Sequence, residues 1–163
     1  MPIAFLALLL CGQQTPPYLP RTGAAVVFVQ NGSVSPAMRL GWEVDLVDQP
    51  RNTLVAGLQL GGAYSTTVNF WQYVGLLGLG YRMQREIGFH WGFDIGFGPA
   101  GFGDQREKKV LPYIEGRVHA GWRVAVVTLA LAVGYGQAVS RDPFSVTQRY
   151  LGGWFVGLLV GWK

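Results

Sequence analysis

Charge is scarce in this chain. Of its 163 residues 13% are Asp, Glu, Lys or Arg and 50% are hydrophobic, whereas a water-soluble domain carries about a quarter charged residues. So few charges make a poor coat for a soluble surface. One cysteine and two histidines exclude an internal disulfide framework and make a convincing metal site hard to assemble. Long hydrophobic runs are missing too. Beyond the N-terminal segment the longest is residues 124–133, which leads into Gly134 and Gly136, and a membrane-spanning helix needs about 20 apolar residues. The net charge of +4 comes from scattered basic residues, with only Arg106, Lys108 and Lys109 grouped. That distribution favours anionic lipid over nucleic acid, and no nucleic-acid partner is expected.

The N-terminal run IAFLALLLC has the length of a secretory h-region and is too short to cross a bilayer as a helix. Residues 1–17 therefore read as a secretory leader, although no Lys or Arg precedes the run and no A-x-A site follows it. Leu10 is bulky where a small residue normally precedes an acylated cysteine, so Cys11 is not expected to carry a lipid.

What the chain has in quantity is alternation with a period of two. In GFHWGFDIGFG, Phe89, Trp91, Phe93, Ile95 and Phe97 fall on one face of an extended strand, and Gly, His90 and Asp94 on the other. AMRLGWEVDLV sets Leu40, Trp42, Val44 and Leu46 against Arg39, Gly41, Glu43 and Asp45; TLVAGLQLGG does the same with its leucines and glycines. Residues 71–83, LPYIEGRVHAGW, 127–135 and 154–162 repeat the rule, and with the less clearly phased 23–30 there are about eight strands. The connections differ in length. DQPRN, QRE and Arg123-Val124 read as short turns, while PAGFGDQREKKV (Pro99 to Val110) and AVSRDPFSV read as long loops, with NGSVSP and STTVN as shorter ones at the same end. Short turns at one end and longer loops at the other describe a transmembrane barrel. The expectation is all-β: one eight-stranded antiparallel up-and-down transmembrane barrel over residues 22–163.

The second face is mostly glycine, with too few charges to solvate a soluble barrel, so the apolar face is expected to meet lipid and the small polar face to line a narrow lumen. Closure is compulsory, because an open sheet edge in lipid leaves unpaired backbone groups at several kcal/mol each. Aromatics support the same reading, since Trp and Tyr favour the two membrane interfaces. Tyr64, Trp71, Tyr73, Phe97, Tyr135 and Tyr150 fall at loop ends and Tyr81, Trp122 and Trp162 at turn ends, leaving Trp91 and Phe93 as mid-strand exceptions.

On this strand pattern, this aromatic girdle and the terminal stretch FVGLLVGW, the chain resembles the small outer-membrane barrels of the OmpA/OmpX kind. Gly157, Val160 and Trp162 keep the Gly-x-x-apolar-x-apolar spacing that such proteins use for assembly recognition; Phe155 stands where a polar residue is usual and Lys163 follows the final aromatic. The resemblance implies a bacterial, Gram-negative-type outer membrane, insertion by its assembly machinery, and contact with outer-membrane lipid and lipopolysaccharide. It implies no activity.

An eight-stranded barrel is just wide enough for side chains to fill. The expected filling is a lumen charge network of Arg39, Glu43, His90, Asp94, Glu115, Arg117 and His119. His90 is expected opposite His119 and Asp94 opposite Glu115, with Arg117 between and Arg39 and Glu43 joining across the lumen. Such a network plugs the barrel and gives it a structural or surface-interaction role; the alternative is a narrow channel for small solutes or ions. A lipid A-modifying enzyme is less favoured. Both histidines are expected inside, Ser33, Ser35, Ser65, Ser140 and Ser145 fall in outer loops, and no H-x-S motif of the lipid A deacylase kind occurs. No catalytic residue, metal or cofactor is expected, and Gly-x-Gly repeats such as Gly78-Leu79-Gly80 are strand alternation, not phosphate loops. The charged Pro99 to Val110 loop is the candidate contact for an extracellular partner.

Overall fold

The computed structural model describes residues 20–30, 33–49, 51–65, 70–83, 88–103, 108–139 and 153–162. The leader region 1–17, Ser140, Ser145 and Tyr150 lie outside them. Eight strands follow in order: β1 Thr22–Gln30, β2 Ser33–Asp48, β3 Asn52–Ser65, β4 Phe70–Met83, β5 Gly88–Gly103, β6 Lys108–Val124, β7 Val127–Ala138 and β8 Gly153–Trp162. Each pairs antiparallel with its sequence neighbours, and β1 pairs with β8 from Thr22↔Gly161 to Val29↔Trp154, which closes the barrel. Every strand thus has a paired neighbour on both sides, and none is left as a sheet edge.

Alternation decides which side chains leave the wall. Leu77 is 70% exposed and Leu131 68%, with Leu58, Leu79, Phe93, Ile95, Phe97 and Val118 also outward. Their neighbours in sequence point inward, where Arg39, Arg82, His90, Asp94, Glu115, Arg117 and His119 are all buried. Apolar matter is outside and charge is inside, the reverse of a soluble barrel.

Three connections differ from the sequence expectation. β5 and β6 remain paired from Pro99↔Pro112 to Gly103↔Lys108, so the long loop contracts to residues 104–107. Proline and glycine in PAGFG disguise this end of the strand, but Tyr73 faces Gly101 across the β4–β5 pair and covers it, its ring taking the space of the missing side chain. β2 likewise begins at Ser33, which leaves only residues 31–32 to connect it to β1. The last turn centres on Ala125 and Val126, not on Arg123-Val124, because Val124 pairs with Val127. Ala125 there has φ 53°, in the left-handed region that a β-carbon disfavours. The turn between β2 and β3 is closed by reciprocal backbone bonds between Gln49 and Asn52 at 2.9 and 3.2 Å.

The interior also holds more bulk than glycine and charge alone would give. Phe28, Phe155, Val26 and Ala37 form one buried cluster, and Tyr113, Leu76, Val74, Ala100 and Ala138 another. In strands such as FVGLLVGW the inward face carries apolar residues as well as glycine: Phe155 shares the phase of Gly153 and Gly157, so its burial follows the phase but its bulk departs from the expected small lining.

Candidate functional site: the charged interior

The described charged side chains that turn inward come from β2, β4, β5 and β6, while β1, β7 and β8 supply Val26, Phe28, Ala130, Ala132, Phe155 and Leu159 to the same interior. Among the described residues the wall made by β1, β7 and β8 carries no inward charge, while the charged wall also holds Val74, Leu76, Ala100 and Tyr113.

The charged wall divides into two groups. In the first, Arg82 bridges two carboxylates, donating to Glu43 Oε1 at 3.0 Å and to Asp94 Oδ1 at 2.5 Å. Arg117 Nε donates to the second oxygen of Asp94 at 2.7 Å. Glu43, Arg82, Asp94 and Arg117 thus form one chain of alternating charge. In the second group Arg39 pairs with Glu115, whose other oxygen accepts from the Tyr113 hydroxyl at 3.3 Å. The Arg39 guanidinium also lies 5.4 Å from the Phe28 ring and 5.6 Å from that of Phe155, within the range of a cation–π contact. It therefore ties the charged wall to the apolar one. Ion pairs with both partners removed from water hold together only when each charge is matched, as these are.

Glycines give these groups their room. A β-carbon at Gly80 would fall 2.2 Å from Asp94 Oδ1, and one at Gly92 2.7 Å from His119 Nε2. The small face of GFHWGFDIGFG is occupied space, filled by side chains from neighbouring strands.

The cross-strand register differs from the expected one by two residues. Asp94 faces Arg117, His119 faces Gly92, Glu115 faces Gly96, and His90 faces Gly121. The two histidines nevertheless meet diagonally, with ring centroids 5.1 Å apart and planes 29° from parallel. His119 Nδ1 is 3.6 Å from Asp94 Oδ2, beyond hydrogen-bond range. Among the described residues, both ring nitrogens of His119, Nδ1 of His90, Nη2 of Arg117 and Nε2 of Gln72 are buried without a hydrogen-bond partner. Arg39 and Glu43 do not join each other; they serve separate groups. The link that sequence reasoning missed is Arg82. Its phase opposite Tyr81 and Leu79 was the available signal, masked by its closeness to the turn QRE.

The interior spaces are unequal. At the turn end a cavity of about 70 Å³ opens among Glu43, Arg82, His90 and Arg123. At the loop end the space between Phe28, Arg39, Gln72 and Val74 is about 10 Å³, close to the minimum for a single water.

Several aromatic residues lie near strand ends, whereas Phe97, expected at a loop end, lies in the middle of β5 because that strand runs on to Gly103. Trp71 and Tyr73 stack at 5.5 Å near the loop end, where Tyr135 meets Trp154 at 5.4 Å; Tyr64 is exposed near the same end. Near the turns, Trp122 is exposed and Trp162 half-buried. Tyr81 donates its hydroxyl to Asn52 Oδ1 at 2.5 Å and lies 5.7 Å from both Trp91 and Phe93. Trp91 and Phe93 are therefore part of the turn-end group, because β5 starts at Gly88 and runs on to Gly103.

Among the described residues no cluster of three or more His, Cys, Asp or Glu is placed to hold a metal. Ser35 and Ser65 lie at the loop end of β2 and β3, while His90 lies at the turn end of β5. No family model and no curated protein sequence matches the chain. Among solved structures, that of the outer membrane enzyme PagL is similar, with a TM-score of 0.61 and 15% identity, over 87% of this chain and 99% of that one. At that identity the likeness is one of fold: this chain forms an eight-stranded antiparallel barrel of the outer-membrane type.

Proposed function

We propose that the protein is an integral outer-membrane barrel whose lumen is plugged, serving a structural or surface-interaction role. The observation that carries the reading is the Glu43–Arg82–Asp94–Arg117 chain, a matched set of charges across a closed barrel with an apolar exterior. The rings of Phe28 and Phe155, packed against the Arg39 guanidinium, support a seal at the loop end. In this reading the turns face the periplasm and the loop ends face outward. The outer-membrane assembly machinery inserts the chain, lipid and lipopolysaccharide surround it, and the exposed Lys108 and Lys109 rim of the β5–β6 hairpin is where an extracellular partner makes contact.

Planar-bilayer recording of the purified protein tests the plug. Rare or absent conductance steps are expected, and frequent large steps in the unmutated protein would replace this reading with the channel alternative. Likeness to an enzyme gives a second reading its own test. Both histidines of the chain face inward, so a hydrolytic site on the outer wall has no imidazole base to draw on. Incubation with lipid A and phospholipid, followed by mass spectrometry, is expected to return both unchanged.

A further inference from the structure

The cavity of about 70 Å³ at the turn end is a dead-end vestibule, and nothing in the plugged-barrel reading uses it. It is roomy enough for a few waters or one small polyatomic ion, since a water's share of liquid volume is about 30 Å³. Its charged lining consists of Arg21, Arg82 and Arg123 against Glu43 and Asp45, three cations to two anions. Both acids are already engaged: Asp45 lies 3.6 Å from Arg21, and Glu43 3.0 Å from Arg82. Behind them Asp94 is held by Arg82 and Arg117. The same pairs engage Arg21 and Arg82, and the lining as a whole still carries one more guanidinium than carboxylate.

The neutral donors agree. The hydroxyls of Thr22 and Thr128 line the same space, as does His90, which is 3% exposed and has a ring nitrogen without a partner among the described residues. Arg123 is steadied at the mouth by the bond from its Nε to Ala125 O at 3.1 Å, across the tight β6–β7 turn. Guanidinium forks, hydroxyls and an imidazole around a space of this size match the acceptor oxygens of a tetrahedral or planar oxyanion. We infer that the turn-end vestibule is a binding site for one small oxyanion, a phosphate group above all, either free or carried as a lipid headgroup.

The test is titration calorimetry of the detergent-solubilised protein at fixed ionic strength, with inorganic phosphate in one arm, a short-chain phosphatidylglycerol in a second and calcium chloride in a third. Saturable, one-to-one binding in the phosphate or the lipid arm is expected, and the tighter of the two identifies the source. Arg123→Gln, which removes charge at the mouth and leaves the Arg21–Asp45 and Arg82–Glu43 pairs in place, is expected to weaken that binding about tenfold, the usual scale for a lost charge-assisted hydrogen bond. Thr128→Val, which keeps every charge, should weaken it by a smaller factor. Heat that never saturates in either arm, saturation by calcium alone, or affinities that are equal in the parent and both folded variants would each overturn the site. The parent titration decides the matter even if a variant fails to insert.

Discussion

Tyr113 occupies the space that a side chain at residue 136 would need. A β-carbon placed on Gly136 would lie 1.8 Å from the Tyr113 hydroxyl, and that hydroxyl donates to Glu115 at 3.3 Å. The glycine of β7 and the tyrosine of β6 are one fitted unit, joined by that hydrogen bond to the carboxylate that pairs with Arg39.

Gly136→Ala should therefore lower the melting temperature in detergent, by about 1 to 3 kcal/mol of stability, the usual cost of overpacking. Combining it with Tyr113→Phe removes the first clashing atom. The double variant should melt above the sum of the two single effects, and simple additivity would mean that the two residues do not compete for space.

Arg82 should matter more than Arg117. Removing Arg82 leaves both Glu43 and Asp94 short of a cation, whereas Asp94 keeps Arg82 when Arg117 is lost. Arg82→Ala should cost about 3 to 5 kcal/mol, the scale for breaking a buried pair, and Arg117→Ala less. Thermal melts of the two variants give the ranking, and equal losses would contradict the bridging geometry.

Leu131→Arg places a charge on the outward face well inside β7. In a bilayer it should cost about 2 to 4 kcal/mol, and Phe93→Arg less, because Phe93 lies with Tyr81 nearer the turns. Urea unfolding in lipid vesicles measures both. Tolerance of both, with solubility in plain buffer, would rule out a membrane face.

Ala125→Gly should stabilise. The turn holds Ala125 at φ 53°, and glycine relieves a backbone penalty of roughly 1 to 2 kcal/mol at the cost of a more flexible unfolded chain. A net gain of up to about 1 kcal/mol is expected; a loss would place the strain elsewhere.

The barrel was legible because its signal is repeated eight times. Each strand with one greasy and one small face carries its own phase, so Arg39, Asp94, Arg117 and His119 could be assigned inward without knowledge of their partners. Partners are another matter. Register depends on where each strand begins, and an expected long loop at Pro99 hid the outer reach of the β5–β6 pair. A displacement of two residues preserves every face yet pairs Asp94 with Arg117 in place of Glu115. Phe155 and Leu76 stand apart for another reason: they share the inward phase of glycines such as Gly78 and Gly157, and a face read as small gave no sign of their bulk.

The division of the lumen into a charged and an apolar wall bears on how the barrel is assembled. β1 and β8 form the seam where the two ends of the chain meet, and neither carries a charged inward side chain among the described residues. The buried ion pairs lie within β2 to β6, where neighbouring strands match Arg82 and Arg117 to Asp94, while Arg82–Glu43 skips β3 and Arg39–Glu115 crosses the lumen. The final encounter of β1 with β8 brings together Val26, Phe28, Phe155 and Leu159, an apolar contact that depends less on protonation and salt than the ion pairs do. Closure kinetics should accordingly be less sensitive to ionic strength than the half-built sheet, with its carboxylates still in water.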